Sequence, residues 1–107
     1  MELRNNRLFC IMGGFTYILC CSDNTFYTGS TKSIKLRFDQ HNAGRGANYT
    51  KKRLPVELVY LEFNKRIDLA FNREKQIQKW SHEKKKALVE SKRNKLPQLS
   101  KKIFDGH

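Results

Sequence analysis

The sequence predicts a small α+β protein in which helices flank a three-stranded, largely antiparallel sheet. Two observations predict it. Aromatic and β-branched segments alternate with amphipathic ones in the order β-β-α-β-α-α, and 107 residues suffice for one modest core but not for a second domain.

The first strand runs from Phe15 to Cys21 and has no helical period. Gly13 and Gly14 break the chain ahead of it, so residues 1–14 read as an N-terminal extension. Ser22 to Asn24 supply turn chemistry and Thr25 to Thr28 resume as a strand, which together signal a hairpin. Thr31 or Ser33 can cap a helix reaching about Asn42, with Ile34 and Phe38 one turn apart and Gly44 as its stop. Gly44 to Pro55 reads as a loop rich in glycine and positive charge. Val56 to Phe63 is the third strand. Simple alternation puts Val56, Leu58 and Tyr60 on one face and Val59, Leu61 and Phe63 on the other, the pattern of a central strand covered on both sides. Asp68 opens a second helix that runs to Trp80, and Ser81 caps a third that ends near Lys92 to Asn94. Residues 15–94 thus make the folded domain. Residues 95–107 form a tail whose Pro97, Leu99, Ile103 and Phe104 can dock on the body.

Charge narrows the partners. Twenty-two Lys and Arg against ten Asp and Glu give a net charge of +12, which favours a polyanion and above all nucleic acid. The apolar stretch Leu8 to Met12 is too short to span a membrane and lacks a signal-peptide cleavage pattern. Cys10, Cys20 and Cys21 form no metal pattern, and neighbouring residues on a strand face opposite ways, so they read as reduced thiols in a cytoplasmic protein. Whether a protein partner or a second copy takes part is left open.

Chemistry concentrates on two helical faces. Arg37 and His41 stack four residues apart beside the Ile34/Phe38 stripe. On the second helix Glu74 falls among Ala70, Phe71 and Ile77, where a carboxylate is unfavourable unless paired, hydrogen-bonded or bound to a metal. A salt bridge to Arg37, or a helix face opening on a solvent cleft, would produce the same pattern. Tyr17 and Tyr27 can approach each other across the hairpin, and Tyr49 lies in the basic loop. Two phenols, a guanidinium, an imidazole and a carboxylate suit phosphodiester hydrolysis with a hard cation. Lys32, Arg45, Lys51, Lys52 and Arg53 are the cations expected to meet the phosphate backbone. The loop is not a P-loop, because the GxxxxGK[ST] spacing is absent. The runs Lys84 to Lys86 and Lys101 to Lys102 read as solvated faces, and His82 and His107 have no partners at ligand spacing.

With Tyr17, Tyr27 to Gly29, Arg37, His41, Asn42, Tyr49, Arg73 and Glu74 in this order, the chain resembles the GIY-YIG nuclease superfamily. It looks closest to small stand-alone bacterial members, which are similar to the N-terminal nuclease domain of an excinuclease. The resemblance covers about Phe15 to Val89 and is carried by the combined spacing, not by any one tripeptide. It implies the fold predicted above and a metal-dependent endonuclease, acting on DNA before RNA, in repair or recombination. Tyr17 and Tyr27 match the tyrosines of the first and second motifs, one of which would activate or orient water. Arg37 would hold the scissile phosphate, His41 would stand near the nucleophile, and Glu74 would be the sole protein ligand of Mg²⁺ or Mn²⁺. Two departures stand out: the first motif is Phe15-Thr16-Tyr17, without its glycine, and no asparagine matches the family's late one, Asn94 being too distant. They leave a non-catalytic nucleic-acid-binding module as the alternative.

Overall fold

The computed structural model describes residues 13–92. In chain order these form β1 (Gly14–Cys20), β2 (Phe26–Thr31), α1 (Ile34–Asn42), α2 (Asn48–Lys51), β3 (Glu57–Asn64), α3 (Ile67–Gln78) and α4 (His82–Ser91). The predicted α+β class and three-stranded antiparallel sheet are what the chain forms. Most of the N-terminal extension, Asn94 and the tail with its expected docking lie outside the described residues.

The hairpin forms because its turn can close. Asn24 takes the left-handed conformation, with φ of 65°, that few residues other than glycine, asparagine and aspartate adopt readily. Asp23 accepts hydrogen bonds from the Thr25 amide at 3.2 Å and the Thr25 hydroxyl at 2.6 Å, fixing the bend. The strands then pair in a register that sets Tyr17 opposite Gly29 and Cys20 opposite Phe26.

The sheet order is β2-β1-β3, so β1 is central and β3 is an edge. This corrects the sequence expectation that Val56 to Phe63 is the central strand. β3 is apolar on both faces because helices reach across both sides of the sheet. On one side Tyr17, Leu19, Cys21, Val56, Leu58 and Leu61 pack with Ile34 of α1. On the other, Ile18 and Tyr60 pack with Ile77 of α3 and Val89 of α4. The facing of β3 also differs from simple alternation. Ile18 pairs with Tyr60 but Leu19 pairs with Leu58, so Val59 is an extra residue in a bulge. Leu58 and Leu61 therefore share one core cluster, while Val59 and Tyr60 join the other.

The helices start where capping chemistry allows. Ser33 caps α1, its hydroxyl accepting from the Leu36 amide at 3.4 Å, and Ser81 caps α4 from the Lys84 amide at 3.2 Å. α3 begins at Ile67, a residue earlier than expected. Asp68 lies in its first turn, where a negative charge suits the helix dipole, and pairs with Arg66 at 2.9 Å. α3 ends at Gln78, short of the expected Trp80. Inside the predicted Gly44 to Pro55 loop the chain makes the single turn α2.

α3 lies across β1 and β2, held by the fully buried Ala70 and Ile77. The Thr16 hydroxyl donates to the Ala70 carbonyl at 2.8 Å, joining helix to sheet without leaving a buried polar group unpaired. Phe71, expected on this apolar stripe, is 48% exposed. One residue from Ala70 means about 100° of rotation, which carries its ring off the buried line. No helix among the described residues is long and apolar enough to cross a membrane.

Because Ile77 has no exposed surface and anchors α3 in the second cluster, Ile77→Ala is expected to destabilise the fold by about 2–5 kcal/mol. Urea unfolding measures this; a loss under about 1 kcal/mol would show that the site collapses around the deletion or that α3 docks otherwise.

Candidate active site

Tyr17 stands in the middle of the central strand, opposite Gly29. A Cβ on Gly29 would lie 2.4 Å from the Tyr17 phenol oxygen and 2.5 Å from Cζ. The missing side chain therefore lets the phenol lie flat over β2 and reach toward the sheet's edge. There it meets His41 of α1, with 3.1 Å between the phenol oxygen and Nε2.

The hydrogen bonds determine the tautomer of His41. Its Nδ1 is 2.8 Å from the Thr50 hydroxyl oxygen, and that hydroxyl donates to the Ala47 carbonyl at 3.0 Å. Thr50 has one proton and has spent it, so Nδ1 carries the hydrogen and donates. Nε2 is then the lone pair, and it accepts from Tyr17. The short helix α2 supplies Thr50, and Gly46 ahead of it comes so close that a Cβ there would stand 2.3 Å from Nδ1. His41 is 1% exposed, whereas Arg37 on the same side of α1 is exposed.

Electrostatics agrees with this arrangement. Burial pushes the Tyr17 phenol well above its ordinary value, aided by Tyr27 and Glu74 and opposed by the nearby Arg37 guanidinium. Tyr27 is raised for similar reasons, burial first and then Glu74. Burial, then Arg37, holds His41 below its ordinary value, so the imidazole is neutral at neutral pH. Tyr27 packs against the same ring, 5.3 Å between centroids, and stacks on Tyr49 at 6.2 Å.

Glu74 arrives from the opposite face of the sheet. Its Oε1 accepts from the Ser30 hydroxyl at 2.5 Å and its Oε2 from Gln78 Nε2 at 2.7 Å. Gln78 also donates to the Thr28 carbonyl at 3.3 Å, so both oxygens are tied to β2. Ser30 follows Gly29, and consecutive strand residues face opposite ways. The phenol crosses β2 on one face while the carboxylate is bound on the other, and the Glu74 charge acts on both tyrosines across the strand. Arg53 pairs with Asp23, Arg66 with Asp68 and Arg73 with Glu62, and no ion pair among the described residues joins Glu74 to Arg37.

The structure thus brings Tyr17, Tyr27 and His41 together on one face of β2, with the Glu74 charge acting on both tyrosines and the Arg37 charge on both tyrosines and on His41. Lys32 directly follows β2, and Arg45, Lys51 and Lys52 are exposed on the α1–β3 connection. Arg53 is otherwise engaged. It pairs with Asp23 at 3.0 Å, lies 3.8 Å over the Tyr49 ring and donates to the Tyr49 carbonyl at 3.0 Å, bracing α2 against the β1–β2 turn. Arg73, next to Glu74, points away to Glu62 at 3.2 Å, which also accepts from Tyr60. Sequence reading missed Ser30, Gln78 and Thr50. Gln78 was accessible in principle, being four residues from Glu74 on one helix; Ser30 and Thr50 meet their partners only through the fold.

A model of the GIY-YIG catalytic domain family matches residues 13–87. UPF0213 proteins of Staphylococcus aureus strains Mu50 and N315 are each 42% identical over 78 residues, which cover 73% of this chain and 95% of theirs. The solution NMR structure of a UPF0213 protein from Bacillus halodurans is 32% identical, with a TM-score of 0.52 over 83% of this chain and 95% of that one.

Gly29→Ala is expected to cost about 1–3 kcal/mol through overpacking and to displace the phenol from His41. Urea unfolding gives the energy and the His41 ring shifts in an NMR spectrum report the displacement; unchanged shifts would contradict the close approach. His41, with its folded value lowered, adds stability that is complete above its ordinary value and is lost as pH falls through the lowered one. Stability should therefore fall more steeply between pH 7 and 5 in the wild type than in His41→Gln, and equal slopes would contradict the assignment.

Proposed function

The chain belongs to the GIY-YIG catalytic-domain family, and from that premise we propose that it is an endonuclease that hydrolyses phosphodiester bonds in nucleic acid, DNA foremost, with one Mg²⁺ or Mn²⁺ ion. The observation that carries this reading is a doubly tethered carboxylate, Glu74, lying across β2 from the hydrogen-bonded Tyr17–His41 pair, close enough for its charge to act on the phenol.

The donor set fits a hard divalent cation. The described residues contain no cluster of three or more His, Cys, Asp or Glu that could hold a metal, and Glu74 would be its protein ligand, as the family resemblance implies. Water and substrate oxygens would complete the shell, as is usual for Mg²⁺ at phosphate. Ser30 and Gln78 would hold the carboxylate in place for it. When bound, the cation would offset charge on the phosphate and act as a Lewis acid.

The protein's own groups manage the proton. Water must lose one as its oxygen bonds to phosphorus and the bridging P–O bond breaks, the departing alkoxide taking a proton from solvent. The Tyr17 phenol keeps its proton at neutral pH and offers it to His41 Nε2. A proton passing from water to the Tyr17 oxygen releases the phenol's own proton to Nε2, and the pair returns a neutral phenol and an imidazolium. Thr50 holds the imidazole in the tautomer this needs. Arg37 would share the charge that builds on the phosphoryl oxygens. Tyr27, on the other side of the imidazole, would orient the water or the phosphate. Lys32, Arg45, Lys51 and Lys52 would contact the backbone, with Arg53 contributing through its brace on Tyr49. The setting assigned to this activity is the cytoplasm, on DNA undergoing repair or recombination.

Supercoiled, branched and single-stranded DNA, with an RNA oligonucleotide beside them, are incubated with wild type and variants in Mg²⁺ or Mn²⁺. Glu74→Gln and Tyr17→Phe are each expected to slow cleavage by about 10²-fold or more while circular dichroism stays unchanged. Cleavage that survives Glu74→Gln would overturn the assignment. Salt-dependent binding without turnover by the wild type would favour the binding-module alternative.

A further inference from the structure

Helix α3 presents an aromatic ring that its packing does not use. Ala70 and Ile77 dock the helix on the sheet, while Phe71 is 48% exposed. The Lys75 ammonium stands 4.8 Å over the Phe71 ring, within the range of a cation–π contact. At about 100° per residue, Phe71, Glu74, Lys75 and Gln78 share one flank of the helix.

That flank runs along β2. Gln78 bonds to Thr28 and Glu74 to Ser30, so four helix residues advance with two strand residues. The spacings agree, since each step is about 6 Å. One turn before Glu74, Phe71 falls in step with Thr31, the last residue of β2, and with Lys32 after it, on the same helix flank as the carboxylate. Other exposed rings are held in place: Phe63 faces Phe15 at 5.3 Å, and Tyr49 lies under an Arg53 that is itself paired with Asp23, whereas the cation over Phe71 belongs to the same exposed helix flank.

We propose that Phe71 is a stacking platform for a nucleobase beside the scissile phosphate, with Lys75 meeting the adjoining phosphate, so that the site selects strands unpaired at the cut. This rests on the phosphodiesterase reading above and names its substrate class: single strands, flaps and bubbles in preference to uninterrupted duplex. In a duplex each base face is already stacked on its neighbours, so an exposed ring on the flank that carries Glu74 gains contact only when a base is free or extruded. The chemistry is that of single-strand binding, an aromatic surface next to a cation, on a chain of net charge +12.

The test uses one sequence presented three ways: as a single strand, as a full duplex, and as a duplex with an unpaired bubble at the cut. Wild type should cleave the unpaired forms with the higher kcat/KM. Phe71→Ala should lower that preference roughly tenfold, mainly through KM, and Phe71→Trp should restore it. Lys75→Ala should weaken the dependence on salt. A preference unchanged by Phe71→Ala, or a loss that Phe71→Trp fails to rescue, overturns the proposal. Fluorescence anisotropy with a labelled single strand in EDTA separates the two readings. If no substrate is cut but Phe71→Ala still weakens single-strand binding tenfold, the platform stands and the cleavage reading falls. If cleavage depends on Glu74 but neither binding nor preference depends on Phe71, the platform falls alone.

Discussion

A phenol lying where a side chain is missing organises the centre of this molecule. Tyr17 belongs to the strand buried on both faces, yet its oxygen reaches the sheet's edge because Gly29 leaves the space above β2 empty. Any Cβ at that point would sit inside the phenol's contact distance. The phenol's position then sets that of His41, and through His41 those of Thr50 and the turn α2. A chain of hydrogen bonds from Tyr17 to the Ala47 carbonyl thus orders a connection that otherwise reads as loop. The buried polar groups along it stabilise one arrangement because each leaves the next a single proton or lone pair.

The opposite face contributes by different means. α3 is fixed by apolar burial at Ala70 and Ile77 and by the Thr16 bond to its backbone. Those contacts bring Glu74 alongside Ser30, and Gln78 closes the carboxylate from the other side. A carboxylate so placed is half-buried but well hydrogen-bonded, which offsets the desolvation that burial imposes on a charge. Edge strands usually carry a liability for unwanted pairing. Here helices flank the β2 strand, α1 bringing His41 to the phenol on one face and α3 bringing Glu74 to the other. A nearby network, Tyr60–Glu62–Arg73 with Trp80, uses the same types of groups for structure, and burial first, then the Glu62 carboxylate, push the Tyr60 phenol up to about 12.

Much of the fold is legible in the sequence because its signals are local. The Asn24 turn, the Ser33 and Ser81 caps and the apolar runs announce themselves within a few residues of chain. Expectation and structure part where distant segments decide. β3 resembles a central strand because helices cover both its faces, and no local pattern separates that from a strand paired on both edges. The Val59 bulge reverses the facing of half the strand, and it follows from the pairing with Ile18 and Leu19. Phe71 reads as part of the buried stripe by residue type, although its angle from Ala70 carries it off that line.

For the candidate site, the order and spacing of Tyr17, Tyr27, Arg37, His41 and Glu74 in the chain were enough to identify the family and to nominate each group. Residue type and spacing along the chain determine which chemistries are available, because they determine the inventory of acids, phenols and cations. Only the tertiary structure decided that Tyr17 donates to His41 and that Ser30 and Gln78 hold Glu74, and that Arg53 turns back into the protein. Those outcomes depend on distances between residues far apart in sequence, which the sheet register and helix docking set and no local propensity encodes.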